Sequence, residues 1–379
     1  MPTKPGAAKA ATVRLDWIDG MKGISILWIV YFHAFSCLDR PWPFSEGFFE
    51  KYRAFYAPSS ALDQVGCFVG AIFVFVTKLG FHAVPVFLVL SGFGLTYSLA
   101  KTGEPAGGWL GWYRSRLLRL FPMYWLAHLV YLVVPFQAQY EAIDYRFLLS
   151  FLGDRVWPVD MIMFYFNPAL WYFGLLLELY LVFPVLFRML QRLGPVWFLV
   201  VGFVASVASR HLLLSVFVVS GNYVEGAFFL PRSFGFMLGM VFGLLFRKEP
   251  EAAGRLLFSP LVLGLGMTLE VLSFYSYSPL WRYVFNDFLV STGFAILIAH
   301  LARALGRFAT IGGALASVGA FSYGLYLLHQ PFILYFASRL NQLTIPDFTV
   351  LIASFIAILT VTAMAIERRV NALTQRVLG

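Results

Sequence analysis

The sequence predicts an all-α fold, a polytopic transmembrane helix bundle of about ten spans with both termini in the cytoplasm. Of the 379 residues, 60% are hydrophobic and only 12% are charged, which is about half the charged fraction of an ordinary soluble domain. The mean hydropathy is +0.77. Because a hydrocarbon core of roughly 30 Å takes about 20 apolar residues per helix, a chain of this length could form about ten crossings with short connections.

Apolar runs define ten predicted spans. They cover residues 17–38, 80–100, 120–136, 170–188, 195–216, 227–246, 257–275, 284–302, 313–336 and 347–366. The chain is thus divided into a cytoplasmic N-terminal segment, residues 1–16, one transmembrane domain, residues 17–366, and a cytoplasmic C-terminal tail, residues 367–379. The first apolar run lacks a small-residue cleavage site, so we expect the first span to be retained.

The basic residues orient this bundle. Lys and Arg are more numerous in the segments that the ten spans assign to the cytoplasmic side, as the positive-inside rule requires. Residues 64–79 are apolar enough for an eleventh span, which would move the cluster Arg114, Arg116 and Arg119 to the outside. The charge pattern therefore favours an interfacial or re-entrant segment at residues 64–79.

Composition also narrows the range of partners. The net charge is +9, but the basic residues are scattered between apolar runs. This pattern indicates a lipid bilayer with anionic headgroups, and a phosphate-bearing ligand, and it argues against nucleic acid. The two cysteines, Cys37 and Cys67, supply neither a metal framework nor a disulfide scaffold, so no metal is expected and a single bridge between them stays open.

Lys22 and His33 share one face of the first predicted span. Eleven residues at about 100° each amount to three turns plus about 20°, and they extend roughly 16 Å along a helix axis. A long ligand could therefore contact both side chains, and an ionisable group at membrane depth is a functional candidate by default. The structural alternative is that Lys22 snorkels to the interface and His33 is a packed or interfacial histidine.

A basic cluster opens the third predicted span. Arg116 and Arg119 are about one helical turn apart, a spacing at which two guanidinium groups can hold phosphates bidentately. Arg114 adds charge, and Tyr124 adds a polar tip to the same helix. The alternative is plain positive-inside anchoring of this helix end.

A carboxylate lies within the fourth predicted span. Glu178, seven residues after Trp171, would lie about 12 Å from the outer surface, near the depth of His33. It could orient and charge-stabilise the imidazole, or it could be neutral and hydrogen-bonded within the bundle.

Two further polar positions carry weaker signals. Ser91, followed by Gly92, could serve only close helix packing, and His329, which precedes Pro331, could satisfy backbone groups near a helix break. Structural roles are expected for four other polar residues in or beside the spans: His82, Glu270, Asp287 and His300.

Taken together, these segments resemble the acyltransferase 3 family, membrane acyltransferases that move an acyl group, usually acetyl, onto glycans of the cell envelope. Five short motifs occur in the family order: Asp-Gly-x-(Arg/Lys)-Gly with a basic-x10-His spacing, Phe-x-Val-Leu-Ser-Gly-Phe, Arg-x-x-Arg, Trp-x6-Glu-x-Tyr and Ser-Tyr-x-Leu-Tyr-x-x-His-x-Pro. Lys22 departs from the family's usual arginine, and it keeps the charge but loses the bidentate fork.

The resemblance implies that His33 is the essential histidine, a general base or a transient acyl carrier that Glu178 would orient. It also implies acetyl-CoA, or another acyl-CoA, as the donor. We expect the donor's phosphates near Arg114, Arg116, Arg119 and Lys22, with Tyr124 beside them. Ser91, Trp171 and His329 are the expected substrate contacts.

The expected acceptor is an envelope glycan or a lipid-linked saccharide outside the inner (cytoplasmic) membrane, and a separate extracytoplasmic transferase partner remains open. Two other interpretations remain. The same polar groups could form the substrate or proton pathway of a transporter or flippase. The chain could also be an acyl-translocating subunit that passes its group to a separate transferase.

Overall fold

The computed structural model describes residues 15–45, 47–133, 142–159, 162–226, 228–277 and 280–378. Within these ranges the chain forms helices and loops and no strand, which confirms the all-α class. The helices are α1 (Asp16–Phe35), α2 (Phe48–Tyr56), α3 (Ala61–Lys78), α4 (Ala83–Leu99), α5 (Gly108–Val133), α6 (Tyr145–Leu152), α7 (Trp171–His211), α8 (Gly221–Gly226), α9 (Ser233–Lys248), α10 (Pro250–Leu257), α11 (Pro260–Tyr275), α12 (Leu280–Tyr283), α13 (Asn286–Leu305), α14 (Ala309–Ala320), α15 (Ser322–Leu340) and α16 (Ile345–Leu378). Most of the predicted N-terminal segment, residues 1–14, lies outside the described residues, as do residues 134–136 of the third predicted span.

Helix α4 runs antiparallel to α1. Near the start of α1, the rings of Trp17 and Phe93 are 6.0 Å apart between centroids. Near its end, a Cβ atom on Gly80 would lie only 2.5 Å from the Cβ of Phe32, so a larger residue at position 80 would push the two helices apart. The loops that follow α1 and α4 therefore lie at opposite ends of the bundle.

Residues 64–79 are helical for most of their length, and their interfacial or re-entrant placement stays a prediction. They belong to α3, which continues into α4 through a single 3-10 turn, Leu79–His82, and the two helices form one apolar segment of 39 residues, Ala61–Leu99. A capping box fixes its start, where the side chain of Ser60 accepts a hydrogen bond from the Asp63 amide at 3.1 Å.

Glycines set the contact between α4 and α9. A Cβ on Gly239 would lie 1.9 Å from the carbonyl oxygen of Val89, and one on Gly92 would lie 2.0 Å from that of Phe236. The two backbones therefore touch, as in small-residue packing of membrane helices. Close helix packing, one of the two interpretations left open for Ser91 and Gly92, is present at Gly92.

Two breaks in the helices bear on the predicted spans. The break predicted between spans 170–188 and 195–216 is present in the structure, because Gly194 (φ 72°), directly before Pro195, is non-helical and divides α7 at a kink. The single predicted span 313–336 is instead two helices, α14 and α15, bent by 75°. Glu367 stabilises this break, because its carboxylate accepts a hydrogen bond from the Gly324 amide at 2.9 Å in the first turn of α15.

The described helices are those of a membrane protein. Five helical segments are long and apolar enough to cross a bilayer, and counting two bent pairs as spans brings the number to seven. The segment Ala61–Leu99 has 39 residues, which at the helical rise extend about 58 Å, roughly twice the thickness of a hydrocarbon core. Ten spans and cytoplasmic termini stay predictions.

Candidate active site

A cavity of about 260 Å³ lies within the bundle. Seven helices line it: α1, α4, α5, α7, α14, α15 and α16. One end is polar and carries Lys22, Arg116, Arg119 and Glu367, whereas the other is aromatic and aliphatic. This arrangement suits an elongated ligand with an anionic end.

The polar end brings three predicted cations together. Lys22 on α1 and Arg116 and Arg119 on α5 all line the cavity. Lys22 forms an ion pair with Asp19 at 3.1 Å, and the guanidinium carbon of Arg116 lies 5.5 Å from the centre of the Trp112 ring. The Nε atom of Arg116 is buried and has no hydrogen-bond partner among the described residues, so it is free to donate to a ligand.

Arg114 and Tyr124 lie elsewhere, although we expected both near the same phosphates. Arg114 is exposed and off the cavity, because two residues along a helix rotate a side chain by about 200° from Arg116. Tyr124 is fully buried, donates a hydrogen bond to the Ser150 carbonyl and stacks on the ring of Phe173. It therefore packs the interior instead of lining the cavity.

Ser91 and Gly92 point in different directions from α4. Ser91 lines the cavity, while Gly92 faces α9 across the close contact described above. The packing interpretation therefore describes the glycine, whereas the serine faces the cavity.

His33 pairs with His329. His33 Nδ1 lies 2.8 Å from His329 Nε2, and the two rings are nearly parallel, with planes 14° apart and centroids 5.0 Å apart. Ile29 and Tyr326 line the cavity, and the two histidines follow them by four and three residues on α1 and α15. The pair thus lies one helical turn beyond the apolar end of the cavity.

The structure gives Glu178 a different partner from the one we expected. Its Oε2 atom accepts a hydrogen bond from the backbone amide of Phe229 at 2.9 Å, while the ring of His33 bonds to His329. Trp171 also lies off the cavity, against Gly226, where a Cβ atom would come within 2.6 Å of the indole. Its neighbour Tyr172 lines the cavity instead.

Sequence reasoning missed several cavity residues. Tyr323 and Tyr326 belong to the motif that contains His329, but neither was singled out, and Tyr172 adjoins Trp171. Glu367 and Asn371 fall in the predicted tail, yet α16 continues through that tail to Leu378. The sequence signal for Glu367 was an acidic residue directly before Arg368 and Arg369, which more often marks a solvated helix end.

A second group of buried charges lies away from the cavity. Glu225 forms ion pairs with Arg210, at 2.6 Å, and with Arg232, and Arg232 also reaches Asp287 at 3.2 Å. Burial raises the pKa of Glu225, but the two guanidinium groups together lower it by more than burial raises it, so that the pKa is about 2. The ionised carboxylate of Glu225 links Arg210 on α7 to Arg232 in the turn before α9, and Arg232 extends the link to Asp287 on α13. This agrees with the structural role expected for Asp287.

Two other polar side chains are likewise bonded inside the fold. His82 Nδ1 lies 2.5 Å from Glu270 Oε1 and its Nε2 lies 2.8 Å from the Tyr277 hydroxyl, while His300 Nε2 lies 3.0 Å from the Leu257 carbonyl. Cys37 and Cys67 are free thiols, so the bridge left open by the sequence is not formed.

Fold and cavity together define a helical membrane protein with a cationic internal site beside a histidine pair. A sequence profile of the acyltransferase 3 family, described as an acyltransferase domain, matches residues 15–367. The chain therefore belongs to this family, and its resemblance in the ordered motifs is confirmed.

A known relative agrees with the family. Acyltransferase MdmB of Streptomyces mycarofaciens is 26% identical over 299 residues, which cover 70% of this chain and 72% of the relative. No solved structure is significantly similar to this chain. Family and relative together support an acyltransferase.

Proposed function

We propose that this protein transfers an acetyl group from cytoplasmic acetyl-CoA to a hydroxyl of an extracytoplasmic glycan or lipid-linked saccharide, as a multi-pass protein of the inner (cytoplasmic) membrane. One observation carries the proposal. The internal cavity is cationic at one end and stops one helical turn short of the His33–His329 pair at the other.

The polar end suits the nucleotide part of an acyl-CoA. Such a donor carries several phosphates at one end and its thioester at the end of a long flexible arm. Lys22, Arg116 and Arg119 supply three positive charges at the cavity's polar end, and arginine forks bind phosphate bidentately. Because Lys22 and His33 are about 16 Å apart along α1, an extended arm anchored near the first would bring its thioester toward the second.

His33 would supply the base. A hydroxyl is a weak nucleophile at neutral pH, and a neutral imidazole can take its proton as the oxygen attacks the thioester carbonyl. The new C–O bond forms, the C–S bond breaks, and the proton on the imidazole passes to the leaving thiolate. A transient acyl-imidazole would use the same ring nitrogen. The aromatic and aliphatic wall, including Phe87, Tyr172 and Tyr326, would exclude water and limit hydrolysis of the thioester.

Acetyl transfer in membranes tests this proposal. Membranes from a host lacking its own copy, with the wild-type chain or a variant restored, are given acetyl-CoA with a labelled acetyl group, and the envelope glycans are analysed by mass spectrometry. We expect His33→Ala to lower transfer by about 100-fold or more, the range of general-base catalysis. His211→Ala, which removes an exposed histidine, should transfer normally.

The outcomes separate the competing interpretations. Normal transfer by His33→Ala, with both variants equally inserted and folded, contradicts the proposed role of His33. A wild-type chain that labels no glycan would contradict the acceptor, and label that depends on an added extracytoplasmic protein would indicate an acyl-translocating subunit.

A further inference from the structure

The second histidine has a fixed hydrogen-bonding pattern. His329 is fully buried, and its Nδ1 atom lies 2.6 Å from the carbonyl oxygen of Tyr326, one turn earlier on α15. A carbonyl oxygen only accepts hydrogen bonds, so the proton must be on Nδ1 of His329. One ring nitrogen of His329 therefore satisfies the backbone, while the other reaches across to α1.

This bond determines the tautomer of both rings. A neutral imidazole carries one N–H, so Nε2 of His329 is a bare acceptor. At 2.8 Å it can only receive a proton from Nδ1 of His33. His33 then carries its own proton on Nδ1, and its Nε2 atom holds the free lone pair.

The opposite arrangement would require a cation. If His329 donated from Nε2, both of its nitrogens would carry protons and the ring would be positively charged. No carboxylate bonds to either histidine in the described part of the chain, and an unpaired buried charge is costly. The stable arrangement is therefore the neutral one, in which His33 donates a hydrogen bond to His329 and His329 donates one to the Tyr326 carbonyl.

We infer that His329 is a positioning residue that holds His33 as the Nδ1–H tautomer and leaves Nε2 as the reacting nitrogen. The inference rests on the proposed function of His33. In Ser-His-Asp enzymes a carboxylate orients the base in this way. A neutral histidine achieves the same orientation here without placing a charge at membrane depth, where charges are expensive. When Nε2 of His33 takes up a proton, the hydrogen bond that Nδ1–H of His33 donates to His329 persists and stabilises the imidazolium of His33.

Two amide substitutions, each of which replaces one ring nitrogen of His329, distinguish this role from simple packing. The amide of His329→Gln reaches the place of Nε2, so its oxygen can still accept from His33. The amide of His329→Asn reaches the place of Nδ1, so it keeps the bond to Tyr326 but leaves His33 without an acceptor. We expect acetyl transfer within about 10-fold of wild type for His329→Gln and a loss of about 100-fold in kcat for His329→Asn, with the KM for acetyl-CoA unchanged in both.

The reverse order, or equal activity in the two variants, overturns the inference, because a residue that only satisfies the backbone would tolerate asparagine better. A change confined to KM overturns it in favour of a substrate contact.

Nitrogen NMR of histidine-labelled protein gives a readout independent of acetyl transfer. In wild type, Nδ1 of His33 should be protonated and Nε2 bare, and in His329→Asn this preference should be lost. A wild-type His33 protonated on Nε2 would overturn the inference even if transfer is normal, whereas absent transfer with the expected tautomer would refute only the proposed function.

Discussion

Arg114 and Arg116 lie two positions apart on α5 and face different surroundings. Arg116 lines the cavity and Arg114 is exposed. We expect Arg116→Ala to raise the KM for acetyl-CoA about 10-fold or more, because one hydrogen bond to a charged group contributes about 1.5–3 kcal/mol. Arg114→Ala removes the same charge from the same helix and should leave KM unchanged. The measurement is the initial rate of acetyl transfer against acetyl-CoA concentration.

Equal effects of the two substitutions would mean that the cluster only anchors the helix. Arg116→Lys refines the test, since lysine keeps the charge but not the planar fork. An intermediate KM is expected if the fork matters, and a wild-type KM would show that charge alone suffices. The same comparison indicates whether the lysine at position 22, where the family usually has arginine, can bind phosphate by its charge alone.

At the scale of helices, the contact between α4 and α9 positions Ser91. We expect Gly239→Ala to destabilise the protein by about 1–3 kcal/mol, as overpacked cores do, because the added Cβ would lie 1.9 Å from the Val89 carbonyl oxygen. Gly264→Ala on α11 is the matched control, since a Cβ there meets nothing within 4 Å. Alanine is also the better helix former by about 1 kcal/mol, so this control should be neutral or slightly stabilising.

Thermal unfolding of the two variants in detergent measures the difference. A Gly239→Ala protein as stable as wild type would show that α4 and α9 can separate without cost. If it is destabilised but folded at the assay temperature, acetyl transfer should also fall, because the displaced α4 carries Ser91 away from the cavity.

Sequence patterns predicted the helices better than the breaks between them. Apolar runs predicted the all-α class, and helical periodicity predicted that Lys22 and His33 share one helix face. Both predictions depend only on residues that are close in the sequence. Partners across the bundle depend on tertiary contacts. Nothing local to Glu178 shows that its carboxylate meets the Phe229 amide, and nothing near Glu367 shows that it caps α15. The pairing of His33 with His329 joins residues 296 positions apart, beyond the reach of any spacing rule.

For the whole molecule, the antiparallel course of α1 and α4 yields a test of topology. Lys51 on α2 and Lys101 after α4 are both exposed, and they flank the apolar segment Ala61–Leu99. Helix α2 packs on α3, where a Cβ on Gly70 would lie 2.6 Å from the Tyr52 hydroxyl, and Phe73 on α3 contacts Phe35 at the end of α1. Lys51 is therefore at the end of the bundle opposite Lys101.

We expect single cysteines at these two positions to be labelled from opposite sides of the membrane. In a Cys37→Ser, Cys67→Ala background, a membrane-impermeant maleimide should label Lys51→Cys in intact spheroplasts and Lys101→Cys only after permeabilisation, because the positive-inside rule puts Lys101 and the arginines of α5 in the cytoplasm. Labelling of both cysteines from outside would contradict the placement of Lys51 and Lys101 on opposite sides of the membrane and would put Lys101 outside. The polar end of the cavity would then face away from cytoplasmic acetyl-CoA, and the proposed direction of transfer would be wrong.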